Sequence, residues 1–201
     1  MTDKEVEKIF AEELVGKSTR EVLMASQNRI AIKILEKSAK PRLNDTVWKL
    51  LKDIAYAKSR LSMFLGITSG SLVKMGKNLL VEENVLQEAV FLHRTWLQVI
   101  TFLYENYDNL NSEEFRKEWD KETTLEVKNE LAKKYENLSR QFAATETLAV
   151  NQQDFTMMDQ TFNWALLAIL GSESFKQFME EFNKTAVLLR KYQTELFSPS
   201  A

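Results

Sequence analysis

Polar residues within 84–107 fall at Gln87, Arg94, Gln98, Thr101 and Glu105, spaced seven, four, three and four apart. On a helix of 3.6 residues per turn those positions share one narrow stripe. Nearly everything between them is Val, Leu, Ile, Phe, Trp, Tyr or Ala. A surface helix shows a narrow apolar stripe; this stretch shows the inverse, which predicts a central helix that is largely buried, with Trp96, Leu97 and Ile100 inward. Glu88, His93, Arg94 and Glu105 interrupt it too often for a membrane span.

The same periodicity divides the rest of the chain. A first helix is predicted over 3–15, with Val6, Ile9, Phe10 and Leu14 inward and Gly16 at its end. Ser18 and Glu21 form a capping-box pattern that opens a second helix carrying Val22, Leu23, Ile30, Ile34 and Leu35. It must stop before Pro41, because the residue ahead of a proline is driven out of the helical region. Asn44 or Asp45 caps a third helix to about Leu65, with Trp48, Leu51, Ile54, Leu61 and Phe64 on its apolar side. A break over 66–71 and a fourth helix from about Leu72 follow. Beyond a turn at 108–112, Leu131, Tyr135, Leu138 and Phe142 step by four, three and four, a coiled-coil-like seam. A break near 151–154 precedes a helix over 155–170 that Gly171 ends. The last helix is predicted to open at Ser174, boxed with Gln177, and to carry Phe175, Met179, Phe182, Ala186, Leu189 and Leu196. Seams this short belong inside antiparallel bundles. The expectation is an all-α, single-domain helical bundle of about six to eight helices over 1–197, with a frayed tail at 198–201.

Composition narrows the chemistry. The 201 residues suit one domain with a core of its own. There is no cysteine, so there is no disulfide, thiol nucleophile or Cys-ligated metal. With 5 Gly and 2 Pro the chain has too little punctuation for an all-β or α/β fold. No apolar run follows a basic start, so no signal peptide is expected, and a cytoplasmic location is the expectation.

The net charge of −2 hides a segregation. Between Lys17 and Lys77 there are 13 basic and 4 acidic residues, a balance of +9, which leaves −11 for the remainder. Such asymmetry marks either an anionic partner or an internal dipole in which the acidic part folds against the basic part. Within it, Arg29, Lys33, Lys37 and Lys40 are spaced four, four and three, one helical face, and Lys49, Lys52, Lys58 and Arg60 continue the basic character. A row of this kind suits phosphate tracking, because each neutralised phosphate releases counterions. Trp48, Tyr56 and Phe64, the nearby aromatics, are better explained as core than as base-stacking platforms.

Other candidates carry less. His93 is the only histidine, flanked at helical spacing by Ala89, Val90, Leu97 and Ile100, and reads as a buried neutral imidazole with one hydrogen-bonded nitrogen. A di-iron carboxylate site needs two Glu-x-x-His pairs, and the nearest upstream acid, Glu88, is five residues away on another face. Glu114, Glu118, Glu122, Glu126 and Glu130 would form a carboxylate row on one helix, offset by Lys117, Lys121 and Lys133, and read as a solvated face. The stretch GSLVKMGKN over 70–78 imitates a phosphate loop but has five residues between its glycines and Asn78 in place of the hydroxyl. Thr68, Ser69 and Ser71 beside Lys74 read as helix capping rather than an anion site. No catalytic, cofactor-binding or metal-binding residue is assigned.

These features lead to a non-enzymatic helical interaction or assembly protein that works through protein–protein contacts, including self-association. The alternative is a nucleic-acid-associated subunit or coat protein using the basic helices of 17–77, with Arg29, Lys33, Lys37 and Lys40 on the nucleic acid. A lesser alternative is a peripheral protein of a lipid or granule surface. An uncovered apolar strip favours the first and an exposed basic surface the second.

Overall fold

The computed structural model describes residues 29, 31–37, 39–68, 83–110, 112–144 and 152–197. They form an all-α bundle, with no strand among them. In chain order the helices are α1 (31–37), α2 (Asp45–Thr68), α3 (Glu83–Glu105), α4 (Glu113–Glu118), α5 (Lys121–Ala144), α6 (Gln152–Leu170) and α7 (Ser172–Phe197). The chain divides into two compact units, Met1–Ser59 with Glu173–Ala201, and Arg60–Ser172. The expected helix at 3–15, the capping box at 18–21, the loop at 70–78, the fourth helix from 72 and the tail at 198–201 lie outside the described residues.

In the second unit α3 packs against α5 and α6, and α4 against α6. Ala89, Leu92, Val99, Ile100 and Leu103 are completely buried and Trp96 nearly so, while Gln87, Arg94, Gln98 and Glu105 of the polar stripe are exposed. Leu97 is half-buried rather than fully enclosed. Against this face α6 brings Phe155, Met158, Phe162, Ala165 and Leu166, all without exposure. Each such aromatic or aliphatic side chain contributes about 1.5–3 kcal/mol of transfer free energy. The predicted seam of α5 also faces inward, with Leu131 and Leu138 buried and Tyr135 and Phe142 half-buried.

The carboxylate row is not on one helix. Glu114 and Glu118 lie on α4, and Glu122, Glu126 and Glu130 on α5. Trp119 interrupts them in an extended conformation (φ −134°, ψ 117°). Its ring is buried against Trp164, 5.1 Å between centroids, and against Phe115 at 6.3 Å. Its carbonyl accepts from the Tyr107 hydroxyl at 2.7 Å. Burying an indole outweighs one more turn of helix. Asp120 then caps α5 by accepting from the Thr123 N–H at 2.6 Å. That backbone bond and the Thr123 side chain hold the Asp120 carboxyl below its ordinary value of 3.8. Ser112 caps α4 in the same way, accepting from the Phe115 N–H at 3.1 Å.

In the first unit α1 is followed by a 3-10 turn, Lys40–Arg42, with Pro41 in its opening turn, where the missing N–H costs nothing. Asn44 is the residue that caps α2, its Oδ1 accepting from the Val47 N–H at 2.9 Å. α2 runs through 66–68, so the first half of the predicted break is still helical. Gly171, at φ +78°, ends α6 in the left-handed region that a glycine enters at least cost. α7 begins at Ser172, so Ser174 does not cap it. Its hydroxyl instead accepts from Arg42 Nη2 at 3.3 Å. Phe178 and Phe182 are buried on α7, their rings 5.7 Å apart.

Candidate functional site

Two places carry the charged chemistry of the described residues, one in each unit. The first is the basic segment. Ala31, Leu35 and Ala39 are buried, which turns Arg29, Lys33, Lys37 and Lys40 to solvent together. The Ala39 N–H donates to the Leu35 carbonyl at 2.9 Å, and Lys40, which opens the 3-10 turn, is exposed. At 1.5 Å per residue Lys33 and Lys37, within the described helix, stand roughly 6 Å apart along its axis. Glu36 is the acid exposed alongside it. Among the described residues neither Lys33 nor Lys37 forms an ion pair.

Basic side chains of the segment also meet aromatic rings. Lys40 and Lys52 place their ammonium groups 5.8 and 5.7 Å from the centre of the Trp48 ring. Trp48 itself is buried, so it is a cation-binding part of the core and not a platform for stacked bases. Lys58 is buried, with its ammonium 5.9 Å from the Phe182 ring. In the second unit Arg60 Nη1 pairs with Glu88 Oε1 at 2.6 Å. Basic residues from the same stretch of sequence therefore have two fates: internal pairing, as at Arg60, and an open face, as at Lys33 and Lys37.

The second place surrounds His93 on α3. The side chain is buried, and Nδ1 lies 2.9 Å from the Ala89 carbonyl oxygen. Nε2 is 3.9 Å from Asp154 Oδ2 of α6, whose other oxygen accepts from Lys134 Nζ of α5 at 2.9 Å. The rings of Trp96 and Phe155 meet the imidazole edge-on, with centroids 6.2 and 6.3 Å away. Burial pushes the imidazole below its ordinary value of 6.5, and Lys134 adds to that, while the Ala89 bond and Asp154 oppose it. Among the described residues no hydroxyl is bonded to His93, and the sequence has no cysteine.

Sequence reasoning placed His93 but not its partners. Asp154 fell in an expected break, and Lys134 gave no signal beyond lying beside the Leu131–Leu138 seam. Glu88, the acid nearest His93 upstream, is engaged by Arg60. Among the described residues no three His, Cys, Asp or Glu side chains are grouped to hold a metal ion, and no helix is long and apolar enough to cross a membrane. Comparison of the chain with protein-family models, with curated proteins and with solved structures finds no match.

Proposed function

We propose that this chain acts by binding rather than by catalysis, with the basic row as its working surface and a nucleic-acid backbone as what that surface meets. The observation that carries the reading is that Arg29, Lys33, Lys37 and Lys40 are all exposed within one short stretch of the chain. A protein keeps charge of one sign together on an open face at a cost in self-repulsion, which an anionic partner relieves. Four phosphate contacts give a log–log salt slope of roughly −3 to −4, from about −0.7 per contact on single strands and −0.9 on duplex. Binding is weakly selective for sequence, because backbone contacts position a nucleic acid without reading it.

The test is a salt titration of binding to short single- and double-stranded DNA and RNA, with the Lys33→Glu, Lys37→Glu double variant alongside. The expected result is tight binding at low salt, the stated slope, and a large loss in the variant. Absence of binding at low salt, where nonspecific affinity is greatest, overturns the nucleic-acid reading.

A second reading, assembly through protein contacts or self-association, has its own support. Val187 on α7 is 63% exposed, and Leu125 on α5 is 37% exposed. Large apolar side chains left in solvent are what a partner covers. A concentration-dependent sedimentation coefficient that Val187→Lys abolishes is the outcome this reading expects.

A further inference from the structure

Neutral His93 has a defined tautomer. The Ala89 carbonyl can only accept, so the proton sits on Nδ1 and the lone pair on Nε2. Nε2 lies 3.9 Å from Asp154 Oδ2, which as a carboxylate oxygen is also an acceptor. Addition of one proton at Nε2 converts two facing acceptors into a charge-assisted donor–acceptor pair. It also sets a second cation beside Lys134, which already holds Asp154 Oδ1 at 2.9 Å. One carboxylate then answers to cations from two helices, α3 and α5, while itself standing on α6.

We propose that His93 is a proton-operated switch at the junction of α3, α5 and α6, in which proton uptake at Nε2 draws Asp154 toward α3 in competition with Lys134 and loosens the packing around the ring. The proton comes from solvent and no covalent bond breaks. Among the described residues the charged groups acting on the ring are Asp154 from α6 and Lys134 from α5. On α3 itself Arg94 is exposed, over the Phe91 ring, and Glu88 is held by Arg60. The apolar surroundings, Trp96 and Phe155, hold the site out of water, so the imidazolium is formed against a desolvation cost.

The sign follows from burial. Because the folded chain holds this imidazole below 6.5, it binds fewer protons than the unfolded chain in acid. The contribution of neutral His93 to stability is complete above that value and is lost progressively as the pH falls from it through the lowered folded value.

His93 is the only histidine of the chain, so its ring protons are identified in a proton NMR spectrum without assignment. The experiment is an NMR pH titration of the full chain and of Asp154→Asn and Lys134→Met, with thermal melts of the wild type and His93→Gln from about pH 7.5 to about pH 5.5. The expected wild-type midpoint lies below 6.5, moves further down in D154N and moves up in K134M. The wild-type melting temperature falls across that range more than that of H93Q. A wild-type midpoint at or above 6.5, or one that neither charge variant moves, overturns the proposal, as does an equal fall in H93Q. Lys134 is half-exposed, so K134M keeps the test decisive where D154N disturbs folding.

Discussion

A polar side chain that points into the α3–α5–α6 core is almost always answered by a specific partner. His93 has the Ala89 carbonyl, Trp96 Nε1–H donates to Thr161 Oγ1 at 3.2 Å, and that hydroxyl donates in turn to the Met157 carbonyl at 2.8 Å. Along the basic row the opposite holds: Lys33 and Lys37 stand in solvent with no ion pair among the described residues. The difference is one of dielectric. A polar atom enclosed by Phe155, Phe162 and Leu92 has lost its water and needs a partner from the chain, whereas an ammonium in solvent keeps its hydration and needs none. The core is thus specified by its own contacts, while Lys33 and Lys37 stay in solvent without an ion pair among the described residues.

The comparison breaks most readily at two buried threonines. Thr161→Val keeps the shape but removes the acceptor of the Trp96 N–H, and the expected cost is about 1–3 kcal/mol because that donor is left buried and unpaired. Urea unfolding followed by tryptophan fluorescence measures it; a neutral result means that the core does not need this partner. Thr95 on α3 is fully buried with no partner for its hydroxyl among the described residues. Thr95→Val is expected to raise stability by about 1 kcal/mol, since it removes a desolvated hydroxyl that gains nothing in return. A loss in the same assay would show that the hydroxyl has a partner in the folded protein.

The smallest expected effect is at the row. Charge reversal of Lys33 and Lys37 should change stability by no more than about 0.5 kcal/mol, as for exposed positions without structural partners. If the row binds nucleic acid as proposed, the same double variant loses that binding while its stability stays nearly unchanged. If the melt of the variant falls by several degrees, these lysines belong to an internal charge pairing and not to a binding face.

Much of this architecture is legible in residue order, for local reasons. The inverted stripe of α3 identifies both its buried and its exposed side, because a helix has only one way to place residues seven, four, three and four apart. Asn44 and Gly171 mark helix ends because capping and left-handed backbone depend on the residue itself. Ser174 misleads although it has the same capping chemistry as Asn44, because the next helix already starts at Ser172, two residues earlier. The joint exposure of Arg29, Lys33, Lys37 and Lys40 also follows from spacing, since Ala31, Leu35 and Ala39 between them claim the inner side.

Periodicity, and groups acting within a turn or two of one another, account for the helical class, the faces of the long helices and the exposure of the basic row. Tertiary structure alone decided the rest. Trp119 leaves the helix because a distant indole, Trp164, completes its burial. Arg60 is spent on Glu88 while Lys33 and Lys37 of the same basic stretch stay open. His93 acquires Asp154 and Lys134 from helices far along the chain. In each case the deciding interaction joins residues whose separation in sequence carries no signal, and their energies depend on how much water the folded chain excludes around them.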